Sequence, residues 1–226
     1  MIVFENVTKK FPLGNVALDN ISFSIEDKEF VFFVGPSGAG KTTIIKLILK
    51  EIEANSGSIL VDDFDITDKN FSKTLILRRN LGIIFQDFKI IYEKNVFENI
   101  ALSLLVLEKY SYAQIKEKVR EALEIVGLIK KEKVFPIQLS SGELQRVAIA
   151  RAIAGERKII LADEPTGNLD PKTTWQIMKI FKKIEKEKTI IFTTHNVDIV
   201  NSLQKRVIVL KDGKIIKDIK KGKYEF

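Results

Sequence analysis

The stretch Gly35-Pro36-Ser37-Gly38-Ala39-Gly40-Lys41-Thr42-Thr43 combines glycines, a lysine and hydroxyls in a spacing suited to holding phosphate. Gly35, Gly38 and Gly40 let the backbone curl so that successive amides point inward as an anion nest. A helix beginning near Lys41 adds the positive end of its dipole. Lys41 brings a mobile charge to β- and γ-phosphates, and Thr42 brings a hydroxyl to Mg²⁺. A glycine-rich turn alone would mean little. Here the loop follows the apolar run Phe30-Val31-Phe32-Phe33-Val34 and precedes Ile44-Ile45-Lys46-Leu47-Ile48-Leu49. Strand, loop and helix form the context in which this spacing binds nucleotide phosphates.

Other reactive residues sit at the ends of further apolar runs. Asp163-Glu164 closes Ile159-Ile160-Leu161-Ala162. Beside a phosphate loop, an acid at a strand end completes Mg²⁺ binding, which is the role expected of Asp163. Glu164 is then placed to orient and deprotonate an attacking water. Without the loop, both would read as solvent-exposed acids. Gln86 follows Leu81-Gly82-Ile83-Ile84-Phe85 in the same way and is a second group for Mg²⁺ or the water. His195 is the single histidine and follows the run Thr189 to Thr193. A lone imidazole is more often structural than reactive. Its place at the C-terminal edge of a sheet, where ligands bind in open α/β folds, gives it a functional reading. Ser140 and Glu143 form a capping box that opens a helix. That is either a well-capped helix or a second anion-binding N-terminus, and nothing within one chain requires two.

The elements that must position these residues follow from local pattern. Ile2 to Val7 and Ala17 to Ile25 read as strands around the turn Pro12-Leu13-Gly14-Asn15. Ile59-Leu60-Val61 reads as another. From Asp87 to about Leu139 the pattern is helical, with a capping box at Ser111 and Gln114, one apolar face at Ile115, Val119, Leu123 and Val126, and a stop at Gly127. A helix is expected from Gly142 to Ile153 and another from Thr173 to Lys186. Arg206 to Leu210 and Ile215-Ile216 flank Lys211-Asp212-Gly213-Lys214, a hairpin signal. Apolar strands alternating with helices imply a parallel sheet covered on both faces.

Composition narrows the classes. With 226 residues and 45% hydrophobic content, the chain suits one domain with an inserted subdomain. Cysteine is absent, so there is neither disulfide nor thiolate metal site. The start shows no basic-then-apolar signal, and the run Ile100 to Leu107 is too short to span a bilayer. A cytosolic chain with at most a peripheral membrane role is expected. The net charge of +7 is spread over lysines mixed with glutamates, as in Lys116-Glu117-Lys118. That is a solvated surface, and no nucleic-acid partner is expected.

Taken together, these motifs resemble the ABC-type ATPases over nearly the whole chain. Gly35 to Thr42 matches Walker A, Gln86 the Q-loop, Leu139 to Gln145 the signature motif, Ile159 to Glu164 Walker B, Asn168-Leu169-Asp170 the D-loop and His195 the H-loop. Phe11 matches the aromatic that stacks on adenine. The resemblance implies an α/β P-loop NTPase with a RecA-like core, an N-terminal antiparallel β subdomain and an inserted α-helical subdomain. The core and β subdomain would take residues 1–86 and 146–226, and the helical subdomain 87–145. It implies ATP and Mg²⁺ as cofactors, with Thr42, Gln86 and Asp163 serving the metal, Glu164 as general base and His195 at the γ-phosphate. It also implies a head-to-tail homodimer on ATP binding, in which Ser140, Ser141, Gly142, Glu143 and Asp170 act on the nucleotide of the other copy. Ser141 stands where the family usually has Gly, and Leu144 where relatives usually carry Gln.

Thr166-Gly167-Asn168-Leu169-Asp170 resembles the group that holds the FtsE, LolD and MacB ATPases, and within it Phe85-Gln86-Asp87-Phe88, Asn95 to Leu102 and Phe33 to Lys41 resemble the cell-division ATPases called FtsE. For that group the resemblance implies an integral membrane partner of the FtsX kind, a peripheral place on the cytoplasmic side of the inner membrane, and control of cell-wall hydrolysis. Phe88, Ile90, Ile91 and Tyr92 are then either partner contacts or subdomain core. An export ATPase of the LolD or MacB kind is the alternative. A chromosome or repair ATPase would split its motifs around a long coiled coil, and no sustained heptad lies between Gln86 and Leu139.

Overall fold

A computed structural model describes residues 1–221. The chain forms two compact units, residues 1–78 with the segment from Thr189 onward, and residues 79–188. The first unit begins with strand β1 (Ile2–Lys10), a 3₁₀ turn at Pro12–Gly14 and strand β2 (Val16–Ile25). The turn falls where Pro and Gly punctuate the sequence. After β3 (Phe30–Val34) and helix α1 (Lys41–Ile48) come β4 (Ser56–Val61) and the short β5 (Phe64–Asp65). An antiparallel sheet runs in the order β2-β1-β4-β5. Ile2, Phe4 and Val7 of β1 bury one face against Leu18, Ile21 and Ile25 of β2. Phe4 stacks on Phe23 at 4.5 Å, and Phe23 meets Phe33 of β3 edge-on at 5.1 Å, which joins this sheet to the phosphate-loop strand. Helix α2 (Thr74–Asn80) closes the segment and carries the unit boundary.

The second unit holds β6 (Leu81–Ile84), helices α3 (Val96–Leu105), α4 (Tyr112–Val126) and α5 (Ser141–Ile153), strand β7 (Ile159–Asp163) and helix α6 (Pro171–Ile184). The helical segment expected over 87–145 lies inside it. It begins later than expected, because 85–95 is an extended, turning loop. Asn95 and Glu98 form a capping box at α3, and Ser111 and Gln114 form the expected one at α4. Helix α4 ends at Gly127, whose φ of 71° needs the missing Cβ. Helix α5 is buried on nearly every side and reads accordingly, with Leu144, Val147, Ala148, Ile149 and Ala152 all inward. It lies directly on β6. A Cβ on Gly82 would collide with the Ala152 carbonyl, so glycine there sets the close approach. Strands β6 and β7 pair in parallel from Leu81–Ile159 to Ile84–Ala162.

The chain then returns to the first unit through β8 (Thr189–Thr194), helix α7 (Val197–Leu203), β9 (Arg206–Lys211) and β10 (Lys214–Ile219). Both β8 and β9 pair in parallel with β3, one on each side, and every residue of β3 is buried. Its unbroken apolar run is the pattern of a strand covered on both faces. The β9–β10 hairpin turns through Asp212 at φ 50° and Gly213 at φ 74°, the left-handed pair that Asp-Gly supplies in a tight hairpin. None of the helices among the described residues is long and apolar enough to cross a membrane.

Candidate nucleotide site

The predicted site residues fall into two groups, one on each unit. In the first unit the phosphate loop leaves the end of β3. Gly35 lies tight beneath the Leu210 carbonyl of β9, so a side chain there would not fit. Gly40, at φ 106°, sits 2.6 Å in Cβ terms from the carbonyl of Ala17 and closes the loop onto the start of β2. Gly40 is also the N-cap of α1, and no side chain caps that helix. Ser or Asp at this position would occupy the amides of the first turn, and glycine leaves them to a ligand. Pro36, Ser37 and Gly38 are exposed, Ala39 is buried, Thr42 is exposed and Thr43 half-buried. Lys41 is only 5% exposed and bends back over its own loop, donating from Nζ to the carbonyls of Gly35 at 2.8 Å and Pro36 at 3.1 Å.

His195 leaves the end of β8 one residue after the Val34–Thr194 pair, just as Gly35 leaves β3. The two therefore emerge from neighbouring strand ends. His195 is exposed, and the chain behind it is fixed by Asn196, which caps α7 by accepting from the amides of Asp198 and Ile199. Phe11 is half-buried at the head of the Pro12–Gly14 turn, with the Lys9 ammonium 5.2 Å from its ring centroid. The ring keeps the flat apolar surface a base can stack on.

In the second unit, the pairing of Ile84 with Ala162 places Gln86 and Glu164 just beyond adjacent ends of β6 and β7. Glu164 has a left-handed φ of 44°, a conformation that costs a non-glycine residue of order 1–3 kcal/mol. The sequence carried no sign of it. Its carbonyl accepts from the Gly167 amide at 3.0 Å, which holds the tight turn after β7. Gln86 and Asn168 exchange long contacts, Nε2 to Oδ1 at 3.4 Å and Nδ2 to the Gln86 carbonyl at 3.3 Å, linking the Q-loop match to the D-loop match. Asp170 caps α6 by accepting from the Thr173 amide at 3.0 Å. The bonds from Thr173 hold its carboxyl below the usual aspartate range.

The signature match opens α5 as the pattern predicts. Ser140 is the N-cap, its hydroxyl accepts from the Glu143 amide, and Glu143 accepts in return from the Ser140 amide at 3.0 Å. Lys131 adds a short charged bond to Glu143. That bond, with the Ser140 amide, holds the Glu143 carboxyl below the ordinary glutamate range. Ser140 and Ser141 are exposed, and Ser141 is the first residue of the helix with no left-handed backbone. Gly142 is buried against Thr173 of α6, and a Cβ would clash with its methyl group. Leu144 is 8% exposed and faces the interior of the unit.

Among the described residues no cluster of three or more His, Cys, Asp or Glu could hold a metal. Mg²⁺ in phosphate sites needs no such cluster, since one or two carboxylates join the substrate phosphates. The exposed hydroxyl of Thr42, the exposed amide of Gln86 and the half-buried carboxylate of Asp163 are oxygen donors of the kind it takes.

Residues 18–167 match the family model of the ABC transporter. The cell division ATP-binding protein FtsE of Streptococcus pneumoniae is 42% identical over 227 residues, covering 100% of this chain and 98% of the relative. FtsE of Bacillus subtilis is 44% identical over 225 residues, covering 99% and 98%. The methionine import ATP-binding protein MetN of Haemophilus influenzae is 40% identical over 221 residues, covering 96% of this chain but 64% of that protein. The dimeric post-hydrolysis structure of the ATP-binding cassette MJ0796 bound to ADP and Pi superposes with a TM-score of 0.87 at 34% identity, covering 97% of this chain and 98% of that one. By its match to the family model and its full-length identities, the chain belongs to the ABC transporter family and is an ATPase of that family, similar along its full length to FtsE cell-division proteins.

Proposed function

We propose that the chain is the ATP-hydrolysing subunit of an FtsEX-like complex, in which ATP-driven pairing of two copies acts through an FtsX-like membrane protein to control cell-wall hydrolysis in division. The observation that carries this reading is the 42% identity to FtsE across the entire chain. The chain then works peripherally, on the cytoplasmic side of the membrane that holds its partner. Phe11 stacks the adenine, and Gly35 to Thr43 hold the phosphates. Thr42, Gln86 and Asp163 hold Mg²⁺, which when bound neutralises charge developing on the transferred phosphoryl group. Glu164 takes a proton from the attacking water, and His195 bonds the γ-phosphate. Ser140, Ser141, Gly142, Glu143 and Asp170 close over the nucleotide of the second copy, as expected of a protein similar to dimeric cassettes.

In cells lacking FtsE, this chain together with its membrane partner should restore cell separation. Glu164→Gln should bind ATP, stay dimeric in it by light scattering, and fail to restore separation. The 40% identity to MetN favours one second reading, methionine import. Rescue of methionine uptake without any effect on separation would replace the division role with that one.

A further inference from the structure

Helix α5 touches three functional segments of its unit. Its first turn carries Ser140 to Glu143. Gln145, fully buried, donates from Nε2 to the Pro165 carbonyl at 2.6 Å, one residue beyond Glu164. Arg151, near its last turn, donates from one terminal nitrogen to the Phe88 carbonyl at 2.7 Å and from the other to the Lys89 carbonyl at 2.6 Å. These carbonyls lie two and three residues beyond Gln86. Phe88 and Lys89 are both left-handed, at φ 60° and 48°, and neither is glycine. A pair of such residues persists only when the surroundings hold it. A forked guanidinium meeting two adjacent carbonyls is a holder of the right shape. The next part of the loop is held separately by Asn99 of α3, which donates to Ile91, Lys94 and Asn95 carbonyls and accepts from the Ile91 amide.

We propose that Arg151 is a positioning residue for Gln86, fixing the left-handed Phe88–Lys89 turn and thereby tying the Gln86 segment to the helix that begins at Ser140. A rigid helix of this length carries the connection roughly 15 Å from Arg151 to Ser141. Movement of the Gln86 loop is then transmitted to the signature end as one body, with Gln145 keeping the turn after Glu164 in step. The proposal rests on the role given to Gln86 above. Arg151 belongs to the second unit and the phosphate loop to the first, so its loss should affect turnover and leave nucleotide binding alone.

The test compares wild type, Arg151→Met, Arg151→Lys and Arg151→Met with Lys89→Gly, all in the 226-residue chain. Arg151→Met should lower kcat for ATP roughly ten- to a hundredfold, the scale of a small misplacement of a positioned group, with KM for ATP nearly unchanged. Amides of 86–92 should exchange hydrogen faster, while those of α4 should not. Arg151→Lys, with one ammonium for two carbonyls, should fall between. Adding Lys89→Gly, which enters the left-handed region freely, should recover part of the lost kcat. Unchanged kcat in Arg151→Met, or a loss of kcat with 86–92 exchanging as in wild type, would overturn the proposal. If Arg151→Met does not fold, Arg151→Lys decides it by the same two readouts. Undiminished turnover in Glu164→Gln would instead sink the catalytic reading, and the exchange of 86–92 reports on the tether independently of that.

Discussion

In the function proposed above, Lys41 is the charge that meets the phosphates, and its position bears directly on that role. Its ammonium is held over the Gly35–Thr43 loop by bonds to the Gly35 and Pro36 carbonyls. Lys41→Ala removes that charge, together with its bonds to the Gly35 and Pro36 carbonyls, and leaves every glycine of the loop in place. It should weaken ATP binding by at least tenfold, the order expected for a charge-assisted contact to phosphate, in a nucleotide titration. An unchanged titration would remove Lys41 from its role. At this scale the sequence showed where candidate residues sit, with Gly35 to Thr43 directly after β3 and Asp163-Glu164 at the end of β7. It was silent about the left-handed backbone of Glu164 and of Phe88 and Lys89, because nothing in a Glu, Phe or Lys side chain announces φ > 0. Ser141 stands where the family usually has Gly, and a Cβ can restrict close approach of a backbone or ligand. Its backbone is ordinary and its side chain exposed, so any obstruction lies in what a second copy would meet.

Helix α5 carries the capping arithmetic most clearly. Glu143 is held ionised by Lys131 and the Ser140 amide, so its folded pKa lies below its unfolded one. A group depressed in this way stabilises the fold above the unfolded pKa and loses that contribution as pH falls through the folded one. Glu143→Gln should therefore melt lower than wild type at pH 7. The difference should shrink as pH drops below about 4, the unfolded range of glutamate. A gap that stays constant down to pH 3 would assign the loss to packing. Gly142→Ala is a separate probe of the same turn, since its Cβ meets the stiff Thr173 side chain. Overpacking of this kind typically costs about 1–3 kcal/mol, read as a lower denaturation midpoint. The capping boxes at Ser111 and Ser140 were legible because their side-chain types and spacing are the structure. Asn95–Glu98 obeys the same rule but lies in a run of apolar and charged residues without clear periodicity, which hides the helix it opens. Short elements such as β5, α2 and α7 escaped for a simpler reason: two to seven residues do not establish a period.

On the scale of the molecule, local pattern identified nearly every long element but not how they group. The break within α2 and the return at Thr189 follow from contacts between distant segments, which no window of sequence contains. The proposed second copy and membrane partner rest on resemblance, since a helix N-terminus such as that of α5 looks the same whether it serves this chain or another. The grouping also orders synthesis. Strand β3 lies between β8 and β9, the two strands it pairs with in its own unit, and both follow Lys188 in the chain and so emerge after the whole second unit. The second unit is continuous in sequence and can assemble while the phosphate-loop strand still lacks those neighbours, because domains form in the order their contacts become available. The motif written earliest in the chain is thus the last to acquire its scaffold, and a chain arrested after Lys188 would expose an apolar β3 with open edges to chaperones or aggregation.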